Sequence, residues 1–209
     1  MSDKLSAAKT IRVTGSRTAS SGFHAGVKVA ESASGTIVVR RPDNLVARLK
    51  TSEGPRSIAL GSGIVRLVDY SEHTHATVKA TGDIDQTLKD ISRIYGVIPP
   101  VAELLVNHPR EFMLDGVTSG RYVGAESING VACEHLAFTQ ERMNWDLWVG
   151  SDNLPRRISM SYPNGDGGPR MGVTANLTKW ELGAKLSADD LAVSVPKDSR
   201  SIDMIPLGE

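Results

Sequence analysis

Short segments rich in β-branched residues recur along most of the chain, and Gly, Pro, Asn and Asp separate them. This is the pattern of successive antiparallel strands joined by turns. Within several segments apolar and polar side chains alternate: Leu45, Ala47 and Leu49 share one strand face, while Arg48 and Lys50 take the other. A period of two with one polar face predicts a sheet that is covered on one side only.

The predicted strands cover residues 10–15, 27–30, 35–41, 44–51, 57–60, 64–70, 74–80, 119–127, 131–139, 145–150, 156–162 and 173–182. Asn129-Gly130 is a strong signal for a two-residue hairpin. Between Leu177 and Trp180 the apolar phase slips by one residue, which predicts a β-bulge.

One segment in the middle of the chain departs from the strand pattern. Asp83 and Gln86 form a capping-box pattern, and apolar residues then follow at helical spacing: Ile84, Leu88, Ile91 and Tyr95. Further short helices are predicted beyond Pro99-Pro100 and after Pro109. A helical insert of about residues 83–115 therefore interrupts the strands. Because a one-sided sheet must bury its apolar face, the fold class is mainly β (α+β), one domain over residues 1–209, with the helices against a curved sheet.

Composition excludes several classes of function. Lys plus Arg number 24 and Asp plus Glu number 24, so the chain lacks the basic excess that nucleic-acid binding requires. No apolar run approaches the roughly 18 residues of a membrane span, so we expect no integral membrane protein. The N-terminus carries no apolar signal core. The chain is therefore either cytoplasmic or begins after a removed signal.

Candidate sites for metal binding and catalysis are weak. His73 and His75, and Cys133 and His135, each place two potential ligands on one strand face, but neither pair has a completed ligand set. The spacing of a serine nucleophile motif is not met at Ser119. Cys133 and His135 point parallel from one strand, which is poor geometry for a nucleophile and its base. We predict no enzyme, no cofactor and no metal, with Cys133 as a structural residue.

Apart from these weak candidates, the sequence offers a set of apolar side chains whose role has two interpretations. Met143, Met160, Phe112 and the helical leucines can simply fill the space between sheet and helices. Alternatively they line an incompletely filled cavity that accepts a hydrophobic ligand. Trp145 and Trp148 lie on opposite faces of one strand. We expect Trp145 to face inward, since Leu147 and Val149 share its face.

Five stretches carry a resemblance to a known family: residues 39–45 (VRRPDNL), 115–124 (DGVTSGRYVG), 128–138 (INGVACEHLAF), 145–149 (WDLWV) and 154–156 (LPR). They resemble a family of predicted periplasmic bacterial proteins in the lipoprotein-carrier-like (LolA/LolB/LppX-type) superfamily. The resemblance covers about residues 35–196. It implies a strongly curved antiparallel sheet, an unclosed half-barrel, with helices on its concave face. It also implies a periplasmic location, binding of lipids or acyl chains, and no catalytic activity.

The leading hypothesis is therefore a non-enzymatic protein of the bacterial envelope that binds an apolar ligand, or the apolar part of a lipidated partner. The alternative is a structural or signalling module with a filled interior that works by protein contact. If a cavity exists, we expect it between the insert and the sheet. Its lining is predicted from among Ile91, Tyr95, Leu104, Leu105, Phe112, Met143, Trp145 and Met160.

Overall fold

A single twelve-stranded sheet dominates the computed structural model, which describes residues 1–19, 23–24, 27–28, 32–95, 101–141, 143–162 and 171–207. The strands are β1 (Thr10–Ala19), β2 (Phe23–His24), β3 (Val27–Lys28), β4 (Ser32–Arg40), β5 (Asn44–Thr51), β6 (Gly54–Gly61), β7 (Ile64–Asp69), β8 (Thr74–Lys79), β9 (Val117–Ile128), β10 (Val131–Gln140), β11 (Asn144–Gly150), β12 (Pro155–Tyr162), β13 (Met171–Leu182) and β14 (Arg200–Ser201). The helices are α1 (Ser2–Ser6), α2 (Ile84–Tyr95), α3 (Ala102–Leu105) and α4 (Pro109–Leu114), with a short 3₁₀ helix at Asp189–Leu191.

The order of strands across the sheet is β14-β8-β7-β6-β5-β4-β1-β13-β12-β11-β10-β9, and β2 pairs with β3 separately. Neighbouring strands are antiparallel except β14, which runs parallel to β8. The two edges, β14 and β9, do not pair with each other, so the sheet is an unclosed barrel. The predicted fold class is confirmed.

Two local predictions about the strands are also confirmed. Asn129 and Gly130 both have positive φ, 50° and 81°, as a tight hairpin between β9 and β10 requires. In β13 the register against β1 moves from Lys179 to Leu177, which leaves Thr178 as the extra residue of a bulge. The Thr178 hydroxyl donates to the Thr14 carbonyl at 3.2 Å.

Strand β1 is longer than its sequence pattern predicts, because Gly15 does not end it. A Cβ at this position would collide with the carbonyl oxygen of Asn176 on β13. Glycine is required here for the close approach of two backbones, and the strand continues to Ala19.

One face of the sheet wraps around the helices. Eight adjacent strands, β7 through β11 in the spatial order, contribute buried residues to a single core that also contains Ile84, Leu88, Leu104 and Leu105 of the helices. Laid flat, eight strands would span about 34 Å at roughly 4.8 Å each. Because short helices cannot cover that width, the sheet must curve around them, and the helices occupy its concave face.

The helical insert forms as predicted, with α2, α3 and α4 within residues 83–115. Asp83 begins α2, accepting a hydrogen bond from the Gln86 backbone N–H at 3.0 Å. The predicted helix start at Pro99-Pro100 lies outside the described residues.

Two polar side chains hold the helices in place. Asp85 of α2 accepts hydrogen bonds from the backbone N–H groups of Asn107 and His108, at the start of α4. Arg41, which follows β4, donates to the carbonyl oxygens of Leu105 in α3, at 2.7 Å, and Leu5 in α1, at 3.1 Å. Burial lowers the pKa of Arg41, because the guanidinium lies between the two layers.

Candidate functional site

A cavity of about 150 Å³ lies between the helices and the strands β10 to β12; we call it the main cavity. It is lined by Leu88, Ser92, Ala102, Glu103, Phe112, Met113, Gln140, Met143, Trp145, Ile158 and Met160. An engineered cavity of about this volume in another protein holds a benzene molecule. The main cavity therefore has room for an apolar group of roughly six carbon atoms.

The sheet side of the main cavity is built by cross-strand pairing. Trp145 on β11 is directly opposite Met160 on β12 and Phe138 on β10. The rings of Trp145 and Phe138 stack with centroids 4.0 Å apart and an interplanar angle of 17°. Gly120 on β9 leaves the space that the Phe138 ring occupies. These contacts across four neighbouring strands fix the position of the Trp145 indole.

The lining is apolar and adaptable. Three of the lining residues are methionines: Met113 on α4, Met143 just before β11 and Met160 on β12. Methionine is unbranched and has a polarisable thioether, so it can adjust its rotamers to differently shaped neighbours. Such a wall can change shape around an occupant without moving the backbone.

Two polar atoms of the lining are buried and have no hydrogen-bond partner in the part of the chain that the structure describes: Glu103 Oε2 and Trp145 Nε1. Trp145 is 3% exposed. Glu103 is partly accessible as a residue, but its Oε2 carries almost no accessible surface. Burial raises the pKa of Glu103 to about 7, against the smaller opposite effect of the backbone N–H groups of Glu103 and Val101. The pKa of neighbouring Tyr162 is raised to about 12 by burial and by the charge of Glu103.

The entrance side of the main cavity is formed by half-buried residues: Ser92, Phe112, Gln140 and Met143. The Gln140 amide donates to the Asp115 carbonyl oxygen at 2.7 Å, which holds α4 against the end of β10. Lys89 Nζ lies 5.6 Å from the centre of the Phe112 ring and 3.7 Å from the Asp115 carboxylate. The rim thus combines polar and apolar side chains.

A second, smaller cavity of about 20 Å³ lies on the other side of α2. Its lining is Leu45, Ile58, Leu60, Val65, Leu67, Thr87, Leu88, Ile91 and Met204. Leu88 borders both cavities, so its side chain is part of the wall between them. Met204 reaches this cavity from the C-terminal segment, where the Leu207 N–H donates to the Ile94 carbonyl.

The structure divides the eight residues predicted to line a ligand site. Phe112, Met143, Trp145 and Met160 come together around the main cavity, and Ile91 borders the smaller one. Leu104, Leu105 and Tyr95 belong to the packed core and line neither of these two cavities. A role in ligand binding stays a prediction for all eight.

Sequence reasoning missed Glu103, Leu88 and Met113 as lining residues. For Glu103 a signal is present: it is the only charged residue in the apolar run 101–106 (VAELLV). Burying an unpaired carboxyl group costs free energy. A single glutamate within an apolar segment is therefore a candidate for a functional role. Leu88 and Met113 carry no such signal, since their spacing is that of ordinary core residues.

The outer face of β9 to β12 carries a separate cluster around His135 and Trp148. Their rings stack with centroids 4.1 Å apart, and Trp148 Nε1 donates to Glu126 at 2.7 Å. Trp148 therefore faces away from the helices and Trp145 toward them, as predicted. Cys133 is buried beside this cluster, and burial raises the pKa of its thiol.

Among the residues that the structure describes, no group of three His, Cys, Asp or Glu side chains lies close enough to hold a metal ion. The helices of the described chain include none that is both long and apolar enough to span a membrane.

The chain is similar to several solved structures. The Mycobacterium tuberculosis lipoprotein LppX matches with a TM-score of 0.51 and 14% identity, over 93% of each chain. LprF from Mycobacterium bovis gives a TM-score of 0.49 and 12% identity, over 95% of this chain and 93% of its own. A LolA superfamily protein from Nitrosomonas europaea gives 0.42 and 12%, over 92% of this chain and 96% of its own. At this level of identity the likeness to LppX shows the fold alone.

The sequence comparisons give the family. No curated protein sequence matches the chain. A family model does match, over residues 1–205, and its description is "Predicted periplasmic protein (DUF2092)". The family of predicted periplasmic proteins that the sequence motifs resembled, and its periplasmic location, are thereby confirmed. The chain belongs to this family of predicted periplasmic proteins, and its fold is similar to that of LppX.

Proposed function

We propose that this protein is a non-enzymatic periplasmic protein that binds a hydrophobic ligand, an acyl chain or the lipid part of a lipidated partner, between its sheet and its helices. The main cavity carries the proposal. It lies where the concave sheet face meets the insert, and most of its lining is apolar. A merely structural interior would fill this space, because protein cores are close-packed.

The size of the cavity sets the affinity to expect. Burying roughly six methylene groups at about 0.8 kcal/mol each gives about 5 kcal/mol before the costs of binding are subtracted. That corresponds to weak binding, with Kd near the millimolar range. Tighter binding of a whole acyl chain therefore needs the methionine wall to rearrange and lengthen the cavity.

The proposal of a non-enzymatic role rests on the chemistry of the lining. Glu103 is the single ionisable side chain among the described residues that border the main cavity. A buried carboxyl can exchange a proton, but acid–base or covalent catalysis needs a second group within hydrogen-bond reach of the reacting atoms. Among the described residues, the lining offers Glu103 no second ionisable group of this kind.

A second candidate is a module that works by protein contact, and one observation favours it. Strand β9 is an edge of the sheet, twelve residues long, and most of its residues are exposed, with Tyr122 60% and Val123 40% exposed. Exposed sheet edges are templates for pairing with an extended segment of a partner. This reading requires no occupant in the main cavity.

Native mass spectrometry of protein purified from the bacterial envelope separates the two candidates. The ligand-binding proposal predicts an additional mass that organic solvent extracts and that is lost when Phe112→Asp places a charge in the cavity. A clean mass for the polypeptide alone, together with a co-purified protein lost on mutation of Tyr122 and Val123, contradicts ligand binding and supports the second candidate.

A further inference from the structure

We propose that the ligand portion inside the main cavity carries a hydroxyl group, which accepts a hydrogen bond from Trp145 Nε1–H and donates one to the carboxyl group of Glu103. This inference rests on the proposed function and adds to it the chemical class of the ligand: an apolar molecule with an alcohol or phenol group, rather than a plain hydrocarbon end.

The first argument is the contrast between Trp145 and the other two tryptophans of the chain. Trp148 donates its indole N–H to Glu126 at 2.7 Å, and Trp180 donates to the Pro155 carbonyl at 2.9 Å. Trp145 is 3% exposed, and its N–H has no acceptor among the described residues. Buried indole N–H groups usually find a partner, since leaving one unpaired costs about 1–3 kcal/mol. Because Trp145 is a lining residue of the main cavity, a ligand oxygen bound beside its indole can accept this hydrogen bond.

The second argument is Glu103, which reaches the same cavity from the helix layer. Its Oε2 is buried and has no hydrogen-bond partner among the described residues. Asp69 pairs with Arg56 at 2.6 Å, whereas no such ion pair of Glu103 is found in the part of the chain that the structure describes. A buried carboxyl is stabilised by a donor, and a ligand in the main cavity is positioned to supply one.

The two groups together select the kind of polar atom. Trp145 can only donate, whereas Glu103 only accepts when it is ionised and both accepts and donates when it is protonated. A group that matches Trp145 and both protonation states of Glu103 must be able to accept and to donate. A hydroxyl does both. A carboxylate offers only acceptors and repels ionised Glu103, whereas an ammonium offers only donors and leaves the Trp145 N–H unpaired. The hydroxyl class is therefore the best chemical match.

Phenol and toluene are a suitable pair of probes, because they have nearly the same shape and the size of the benzene ring that a 150 Å³ cavity accommodates. Kd for both is measured by NMR titration at pH 7 on the parent protein, Trp145→Phe and Glu103→Met. The quantity of interest is the ratio of the two Kd values within one protein, since changes in cavity shape affect both probes alike.

We expect each variant to weaken phenol relative to toluene by roughly fivefold, the effect of one neutral hydrogen bond. Trp180→Phe is the control: its N–H is bonded to Pro155 outside the cavity, and the ratio should equal that of the parent. Toluene binding with an unchanged ratio in both variants overturns the hydroxyl inference and leaves the proposed function standing. Failure of both probes to bind the parent protein contradicts the proposed function itself.

Discussion

Trp145 and Glu103 line the same cavity from opposite layers, Trp145 from strand β11 of the sheet and Glu103 from helix α3. Each carries a buried polar atom that has no hydrogen-bond partner among the described residues. Leaving such an atom unpaired costs about 1–3 kcal/mol. We therefore propose that the pair marks the polar part of a ligand site in the main cavity, where a bound molecule can supply the missing partners.

Glu103 should make the stability of the protein depend on pH. Its pKa is raised from 4.5 to about 7 in the folded state, so the folded protein retains a proton that the unfolded chain has lost. The free energy of unfolding therefore falls as the pH rises from about 4.5 through 7, by at most about 3 kcal/mol. Urea unfolding at pH 5 and pH 8 measures this difference. In Glu103→Gln we expect the change in the free energy of unfolding between pH 5 and pH 8 to be smaller by up to this amount. An identical pH dependence in the parent protein and the variant would refute this role of Glu103.

Phe112 should control access to the main cavity. The change Phe112→Asp places a charge at the rim, and burying it with an apolar ligand is unfavourable. Leu114 lies on the same helix, is 44% exposed and does not border the cavity. Leu114→Asp is therefore the matched control. We expect toluene binding, followed by NMR titration, to weaken more than tenfold in Phe112→Asp and to persist in Leu114→Asp. Equal binding by both folded variants would place the ligand elsewhere.

Leu88 should determine how large an occupant fits. Its side chain borders both cavities, so Leu88→Ala joins them at a cost of about 2–5 kcal/mol in stability. We expect the variant to bind n-butylbenzene roughly fiftyfold more tightly than the parent does, since three more methylene groups are buried at about 0.8 kcal/mol each. Ile84→Ala, on the same helix and bordering neither cavity, is the control for loss of stability. If Ile84→Ala gains the same affinity, a general loosening of the core is the cause.

Arg41 should be essential for keeping the helices on the sheet. It donates to the carbonyl oxygens of Leu105 and Leu5, and truncation leaves both without this donor. We expect Arg41→Ala to lower the free energy of unfolding by about 3 kcal/mol, at the charged-donor end of hydrogen-bond values. Arg40 is exposed and bonds only to Asn44 among the contacts described, at 3.3 Å. Arg40→Ala should therefore change stability by less than about 0.5 kcal/mol. Chemical unfolding measures the stability of both variants. Equal losses of stability in Arg41→Ala and Arg40→Ala would contradict the role given to Arg41.

Much of the fold could be predicted because its signals are local. The alternation of Leu45, Ala47 and Leu49 marks a one-sided strand, Asn129-Gly130 marks a hairpin, and Asp83 marks a helix start. The phase slip before Trp180 identified a bulge from four residues of sequence. Each of these depends on the conformation of neighbouring residues, which the sequence shows directly.

The pairing of distant strands and the details of the site were not predictable in the same way. β1 lies between β4 and β13, so that Ile11 is opposite Leu182, and no local pattern encodes that neighbour. Helix α3 has only four residues, too few for periodicity to tell which side chains face the cavity. From the sequence, Leu104 and Leu105 were therefore as good candidates for the cavity lining as Phe112, although both are completely buried in the core. The position of a cavity depends on how all the surrounding side chains pack, which no local pattern shows.

The location of the bound ligand is the central claim, and methionine methyl groups test it directly. The protein is labelled with ¹³C at the methionine methyls, and toluene is added while two-dimensional NMR spectra are recorded. We predict that the resonances of Met113, Met143 and Met160, which line the main cavity, shift progressively, while those of Met1 and Met204 remain in place. If saturating toluene leaves these three resonances unchanged, or shifts only those of Met1 or Met204, the ligand does not bind in the main cavity.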